Sequence, residues 1–112
     1  MRSLGRTSRL ILTVLARGPA HGYGVIAWVR DVSGGTEKLA VGSVYGSIDK
    51  LESRGLIEAD HEAVENGRTR QYYRITEPGR TLLAVEVAKL ATEVEAAQQA
   101  LAIPPGLSGQ TP

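Results

Sequence analysis

The length, composition and charge of this chain fit one small globular domain and exclude several kinds of site. Its 112 residues include one Trp, four Tyr and no Phe, so we expect a core of aliphatic side chains. Cysteine is absent and the two His are far apart in sequence, so we expect no disulfide, no metal and no cofactor. The net charge is +1, but residues 1–80 carry twelve Lys and Arg against nine Asp and Glu. That surplus favours an anionic partner for this part of the chain.

Several motifs that would indicate other functions are missing from the sequence. No apolar run reaches membrane-spanning length and the first fifteen residues lack a signal-peptide pattern, so we expect a cytoplasmic protein without a membrane partner. The sequence contains no Gly-rich phosphate loop, no nucleophile elbow and no His-Glu-x-x-His motif. We therefore expect a protein that is not an enzyme.

The first nine residues are polar and basic, with Arg2, Arg6 and Arg9. They form either a frayed terminus or an arm that contacts phosphate. Ser8 is expected to cap a first helix that ends at residues 17–19. The apolar stripe of this helix consists of Leu10, Ile11, Val14 and Leu15.

A second helix is predicted over residues 22–32, after a turn that contains His21 and Tyr23. We interpret these two side chains as structural, the first making a hydrogen bond in the turn and the second a packed ring. The residues expected to face inward from this helix are Val25, Ile26, Val29 and Val32.

The third predicted helix begins near Val41 and ends before Gly55, and the rest of the chain is organised around it. Its inward face carries Val44, Ile48 and Leu51 at helical spacing. The opposite face carries small, polar or charged residues, namely Gly42, Gly46, Asp49, Lys50 and Ser53. Small outward residues let a helix backbone approach another surface, and the major groove of DNA is one such surface. An ordinary solvated helix face is the alternative interpretation.

Two strands joined by a tight turn follow the third helix. Residues 57–64 alternate apolar and charged side chains, which is typical of a half-buried strand, and His61 is expected to be partly buried. The Asn66-Gly67 pair predicts a hairpin turn. Residues 70–75 form the return strand, in which Tyr73 and Ile75 face the same side.

A long last helix is predicted after Thr76, which caps it, with a proline in its first turn. Apolar residues recur along it at spacings of four and three, which is the pattern of a short coiled-coil seam. We call this set the seam; it consists of Leu83, Val87, Leu90, Val94, Ala97 and Leu101. It is expected to be a dimer interface, the alternative being packing against the first helix of the same chain.

Three helices, a two-stranded ribbon and a further helix occur in the order of a winged helix-turn-helix domain. The predicted fold class is therefore mainly α with a small β-ribbon. We expect a DNA-binding domain over residues 1–76, a dimerisation helix over 77–103 and a disordered tail over 104–112.

The side chains expected to contact DNA lie on the third helix, just before it and on the ribbon, or wing. They are Ser43, Tyr45, Gly46, Ser47, Lys50, Arg68, Arg70, Arg74 and Lys38. Guanidinium groups at the wing suit phosphate contact. The alternative for the wing arginines is an outer face paired with Glu58, Asp60 and Glu62, and the alternative for Tyr45 is packing beneath the wing.

The sequence resembles the PadR-like family of transcriptional regulators over roughly residues 8–90. The resemblance rests on His21-Gly22-Tyr23, on Gly42-Ser43-Val44-Tyr45 and on Tyr72-Tyr73-Arg74-Ile75-Thr76, in this order and spacing. The chain departs from the usual family pattern at Gly24, at Gly46 and in the absence of an aromatic residue from its last helix.

This resemblance implies a homodimeric repressor that binds a pseudo-palindromic operator in double-stranded DNA and dimerises through its C-terminal helix. Some members respond to a small-molecule effector, and Trp28 is the candidate contact for one here; the alternative is that Trp28 belongs to the core. The competing function is a winged helix that binds only other proteins, which would have no need of the wing arginines.

Overall fold

The computed structural model describes residues 4–104, and these contain four helices and a two-stranded sheet. In chain order the elements are α1 (Arg6–Arg17), α2 (Gly22–Val32), α3 (Val41–Ser53), β1 (Ile57–Glu65), β2 (Arg68–Ile75) and α4 (Glu77–Ala102). This is the predicted mainly α architecture with a β-ribbon and a long last helix. None of the described helices is both long and apolar enough to cross a membrane.

The core lies where α1, α2 and α3 meet the start of β1 and the first turns of α4. Its members are aliphatic, as expected, and the most deeply buried are Ile11, Leu12, Val25, Val29, Val44, Ile48, Leu51 and Ile57. Fully burying one such side chain stabilises the fold by roughly 1.5–3 kcal/mol. The predicted inward face of α3 is confirmed, because Val44, Ile48 and Leu51 are each at most 2% exposed.

Two predictions about helix ends were wrong. Ser8 does not cap α1, because the helix begins at Arg6, after Gly5, without a side-chain cap. Burial of Leu4 against the core fixes the chain before the first turn instead. Val32 does not face the core either and is 61% exposed. It is the last residue of α2 and lies beyond the end of the core.

The hairpin forms where Asn66-Gly67 predicts it, with both residues at positive φ, of 51° and 76°. The strands are antiparallel, and a bulge interrupts the register between Ala59 and His61. Ala59 pairs with Tyr73, but His61 pairs with Tyr72, so Asp60 is the extra residue. Side chains after the bulge therefore change faces.

This change of face explains a further error in the sequence interpretation. His61 was expected to be partly buried together with Ile57, but its side chain is 50% exposed. Its ring stacks on Tyr72, with centroids 4.4 Å apart and planes 12° from parallel. His61 thus belongs to the outer face of the wing.

Helix α4 begins at a tightly connected joint. The Thr76 hydroxyl accepts a hydrogen bond from the Gly79 N–H and donates one to the Gly55 carbonyl, at 3.2 and 2.7 Å. The Thr76 N–H donates to the Leu56 carbonyl at 3.1 Å. Gly79 packs directly on that carbonyl, so a side chain at this position would collide with backbone. The joint connects α4 to the segment that leaves α3.

Candidate nucleic-acid interface

The exposed face of α3 carries the small and polar residues predicted for it. Ser43, Gly46 and Lys50 are exposed and Ser47 is half-buried. They line a cleft of about 850 Å³ between α3 and the segment from Leu4 to Ser8. Backbone at Gly46 meets open space, so another surface can approach α3 closely there.

Two further basic residues lie at the ends of α3. Lys38 is exposed in the connection before the helix, and Arg54 caps the helix C-terminus and lines the cleft. Arg6, in the N-terminal segment, pairs with Glu37 at 2.9 Å, and both side chains are 48% exposed. Such an exposed pair contributes at most about 1 kcal/mol, so Arg6 can exchange this carboxylate for another anion.

Tyr45 lies at the contact between α3 and the N-terminus of α2. Its ring packs on the backbone of Gly22, where an added Cβ would lie 2.6 Å from the ring. The ring also meets Tyr23 edge-on, with centroids 5.9 Å apart. Burial, followed by the charge of Tyr23, raises the pKa of Tyr45, and Arg70 opposes the rise. The phenol therefore keeps its proton at neutral pH and can donate a hydrogen bond.

The wing is attached to the start of α2 by backbone and side-chain contacts. Ala20 and Tyr73 exchange two backbone hydrogen bonds of 3.1 and 2.9 Å. The Nδ1 atom of His21 accepts a hydrogen bond from the Gly24 N–H at 3.2 Å, which confirms the turn hydrogen bond predicted for this histidine. Its Nε2 atom faces Glu65 at 3.5 Å, at the end of β1.

The third attachment is made by Tyr72, whose phenol donates a hydrogen bond to Glu65 within the wing. That hydrogen bond, together with desolvation, raises the pKa of Tyr72. The Tyr72 ring also contacts His21 edge-on, with centroids 5.1 Å apart. The wing is thus held against the body along its length.

The three wing arginines have three different environments. Arg68 is exposed beside the hairpin turn. The guanidinium carbon of Arg70 lies 4.6 Å from the centroid of the Tyr23 ring. Arg74 instead pairs with Glu58 at 2.8 Å and with Asp60 at 3.1 Å. Arg74 therefore adopts the arrangement foreseen as the alternative, a paired outer face.

The carboxylate pairing around Arg74 also affects the titration of its partner. Hydrogen bonds from His61 and then from Arg74 lower the pKa of Asp60. Hydrogen bonds to Asp60 and Glu58 raise the pKa of Arg74. Glu58 and Asp60 together hold the guanidinium, which leaves Arg74 less available to an external phosphate than Arg68.

The seam along α4 is mostly uncovered in the single chain. Val87, Val94 and Leu101 are 50%, 54% and 86% exposed, Ala97 is exposed, and Leu83 and Leu90 are half-buried. The residues of α4 that pack against the body are Gly79, Leu82, Leu83 and Glu86, so the seam residue Leu83 packs on the core of its own chain. Two of these, Leu82 and Glu86, precede seam residues by one position, which on a helix is a rotation of about 100°.

Comparison with known proteins identifies the family. The sequence pattern of the transcriptional regulator PadR-like family matches residues 11–85. The chain belongs to the PadR-like family.

Individual relatives agree with this assignment. A PadR family transcription regulator from Clostridium difficile R20291 superimposes with a TM-score of 0.73 at 25% identity, over 87% of this chain and 99% of that one. Bacillus subtilis PadR, solved in complex with operator DNA, matches the fold with a TM-score of 0.63 at 20% identity, over 71% of this chain and 46% of that one.

One relative was identified by sequence identity. It is an uncharacterised 37.1 kDa protein in transposon TN4556 of Streptomyces fradiae, 39% identical over 82 residues. The match covers 73% of this chain but only 22% of the length of that protein.

Members of the PadR-like family are transcriptional regulators rather than enzymes, in agreement with the expectation from sequence. The winged-helix fold predicted from the order of elements is confirmed by the same structural relatives. Among the described residues, no group of three or more His, Cys, Asp or Glu is arranged to hold a metal ion.

The remaining predicted residues lie as follows in this PadR-like chain. Trp28 is half-buried and packs against the core, with the guanidinium carbon of Arg17 5.5 Å from its ring centroid. It does not line the cleft beside α3. The predicted tail, 104–112, lies outside the described residues except for Pro104, as does Arg2.

Sequence reasoning missed the position of Tyr23. It was interpreted as a packed ring, but its side chain is 41% exposed and lies between Tyr45 and Arg70. The three residues are far apart in sequence, and no local pattern connects them. Two tyrosines and one arginine form this contact, and their proximity depends on the fold.

Proposed function

We propose that this PadR-like regulator is a cytoplasmic homodimeric repressor that inserts α3 into the major groove of a pseudo-palindromic operator. The wing would follow the neighbouring backbone. One observation carries the proposal: Tyr45 of α3 and Arg70 of the wing both contact the ring of Tyr23. The helix and the wing therefore meet at one surface, which offers a neutral donor and a cation to adjacent parts of a duplex.

Each group on this surface has a distinct role in the proposal. Ser43, Gly46, Ser47 and Lys50 face the base edges, and Lys50 donates to guanine. Tyr45, Arg68, Arg70 and Lys38 contact phosphates. Arg74 is the weakest of the predicted contacts, because Glu58 and Asp60 already hold its guanidinium.

Dimerisation through the seam is the second part of the proposal. Its support is the exposure of Val87, Val94 and Leu101, three large apolar side chains on one stripe of α4. Covering such a stripe with a second copy of itself gives an isologous interface with two-fold symmetry. A two-fold dimer presents two copies of α3, which suits an operator with two related half-sites.

The proposal also includes release by a small-molecule effector, with Trp28 as its candidate contact. Trp28 is covered by the core on part of its surface and by Arg17 on the ring face. The half-buried indole lies at the edge of the core, where a flat ligand that displaces Arg17 would contact the ring face.

Operator binding is tested by fluorescence anisotropy with DNA from upstream of the protein's own gene, against a scrambled duplex, at several salt concentrations. We expect tight, salt-dependent binding with preference for the native fragment. Replacing Arg68 and Arg70 with Ala should weaken binding to both duplexes and flatten the salt slope by about one to two units. Arg74→Ala is the matched control, because it removes a guanidinium of the same strand that is already paired.

Three outcomes would contradict this proposal. Equal affinity for both duplexes would remove sequence specificity, and an unchanged slope in the double variant would remove the wing contacts. Absence of binding at low salt would favour the alternative, a winged helix that binds other proteins.

A further inference from the structure

Tyr23 lies between the two groups that the proposed function places on DNA. On one side its ring meets Tyr45 edge-on, at 5.9 Å between centroids and 64° between planes. On the other side it lies beneath the guanidinium of Arg70, 4.6 Å from the ring centroid. One side chain of α2 thus contacts both α3 and the wing.

This arrangement is not required by the core. Tyr23 is 41% exposed and does not belong to the buried cluster, whereas Tyr45 and Tyr73 pack against that cluster. Its ring therefore contributes little to burial. Its two contacts are directional ones, an edge-to-face ring pair and a cation over a ring face.

The ring that Tyr23 meets is itself closely packed. The Tyr45 side chain lies against the backbone of Gly22, where a Cβ would come within 2.6–2.9 Å of three atoms of the phenol, including its oxygen. The backbone before α2 is in turn bonded to β2 through Ala20 and Tyr73. Tyr23 thus contacts a ring that is packed on the backbone of α2, and the Arg70 guanidinium lies over the Tyr23 ring.

Electrostatics agree with the geometry. The charge of Arg70 lowers the pKa of Tyr45 while burial and Tyr23 raise it, so the three groups lie within one electrostatic neighbourhood. Arg68, two residues away on the same strand, has no ring beneath it within the described part of the chain. The Arg70 side chain is therefore held by an aromatic ring, whereas the Arg68 side chain on the same strand is not.

We propose that Tyr23 is a positioning residue that holds the Arg70 guanidinium beside Tyr45, so that the wing presents this cation to the DNA backbone in a fixed place. The inference rests on the proposed function, since it assigns Arg70 to a phosphate. A free arginine side chain loses rotamer freedom when it binds, and a preordered one has lost it already. The aromatic face leaves the N–H donors at the guanidinium edge free to bind phosphate oxygens.

The first test examines the contact in the protein without DNA. A ring face shifts the side-chain proton resonances of the arginine above it upfield. We expect Arg70 to show this shift in the wild type and in Tyr23→Phe, and to lose it in Tyr23→Leu, with Arg68 unchanged throughout. An Arg70 resonance at its ordinary position in the wild type would overturn the contact itself.

The second test asks whether Tyr23 acts through Arg70. Operator affinity should fall about three- to tenfold in Tyr23→Leu and stay within about twofold in Tyr23→Phe, since cation–ring and preordering effects are of this size. In an Arg70→Gln background the Tyr23→Leu change should have no further effect. In an Arg68→Gln background, the matched control, it should retain its full effect.

The outcomes separate this inference from the proposed function. If Tyr23→Leu weakens binding equally with and without Arg70, Tyr23 does not position that residue and the inference is overturned. An equal melting temperature of Tyr23→Leu and the wild type shows that the loss is not one of folding. If the wild type binds no DNA, the proposed function fails, and the resonance of Arg70 still decides whether the contact exists.

Discussion

The body of the molecule and the distal half of α4 use the same apolar residue types in opposite ways. In the body, Ile11, Val44 and Ile57 are at most 1% exposed. Along α4, Val94 and Leu101 are 54% and 86% exposed. The body therefore completes its core within one chain, whereas the distal helix carries apolar surface that this chain does not cover. The proposed function therefore assigns stability to the body and assembly to the distal helix.

The largest expected effect comes from charging the seam. Val87→Asp combined with Leu90→Asp should convert the proposed dimer into a monomer, because burying unpaired carboxylates costs several kcal/mol for each ion. Light scattering should give the mass of a single chain. Thr92→Asp, on the opposite face of α4, is the matched control and should leave the dimer intact. A dimer that persists with both seam charges would contradict the separation of assembly from stability.

A pair of substitutions within α4 sharpens the comparison. Leu82 is 5% exposed and packs on the body, so Leu82→Ala should lower the free energy of unfolding by about 2–5 kcal/mol at any protein concentration. Val94→Ala should change the unfolding of single chains by less than about 0.5 kcal/mol and should raise the dimer dissociation constant. Urea denaturation at two protein concentrations measures both. Equal losses at low concentration would show that the two halves of α4 are equivalent.

The smallest expected effect concerns the ion-pair cluster on the outer face of the wing. The pKa of Asp60 lies below its ordinary value of 3.8 in the folded protein, through His61 and Arg74. Its contribution to stability is therefore present above about pH 4 and is lost as the pH falls through the lowered pKa.

Asp60→Asn should therefore lower stability slightly at neutral pH, and the difference from wild type should vanish in acid. Urea denaturation between about pH 7 and pH 3 tests this expectation. Glu62→Gln is the control, because it removes a carboxylate of the same strand that makes no ion pair within residues 4–104. A difference that persists in acid would mean that Asp60 acts through packing rather than charge.

The parts of the fold that local chemistry controls could be predicted from sequence. Gly55 ends the third helical segment, Asn66-Gly67 makes the hairpin, and Thr76 caps α4 by accepting from Gly79. The spacing of Val44, Ile48 and Leu51 identified the inward face of α3, and with it the exposed positions of Gly46 and Lys50. Each of these features depends on neighbours within a few residues.

The features that could not be predicted depend on distant contacts. The start of α1 is set by burial of Leu4, and the environment of His61 by an extra residue in one strand of a pair. The pairing of Arg74 with Glu58 follows from their direct opposition across the ladder. Arg70, four residues earlier on the same strand, lies over Tyr23 instead. The strand register and the tertiary packing give these two arginines different partners. Neither can be read from the amino-acid sequence.

The joint at Thr76 and Gly79 has a consequence for the whole assembly. It fastens the first turn of α4 to the carbonyls that follow α3, through hydrogen bonds and through close backbone contact. In the proposed dimer, the N-terminus of α4 is therefore firmly connected to the DNA-binding part of the chain, and the two move together. The separation of the two copies of α3, and hence the number of base pairs between operator half-sites, is set by the angle at this joint. A molecule that tilts one α4 against the other would change that separation without touching the surface that meets DNA.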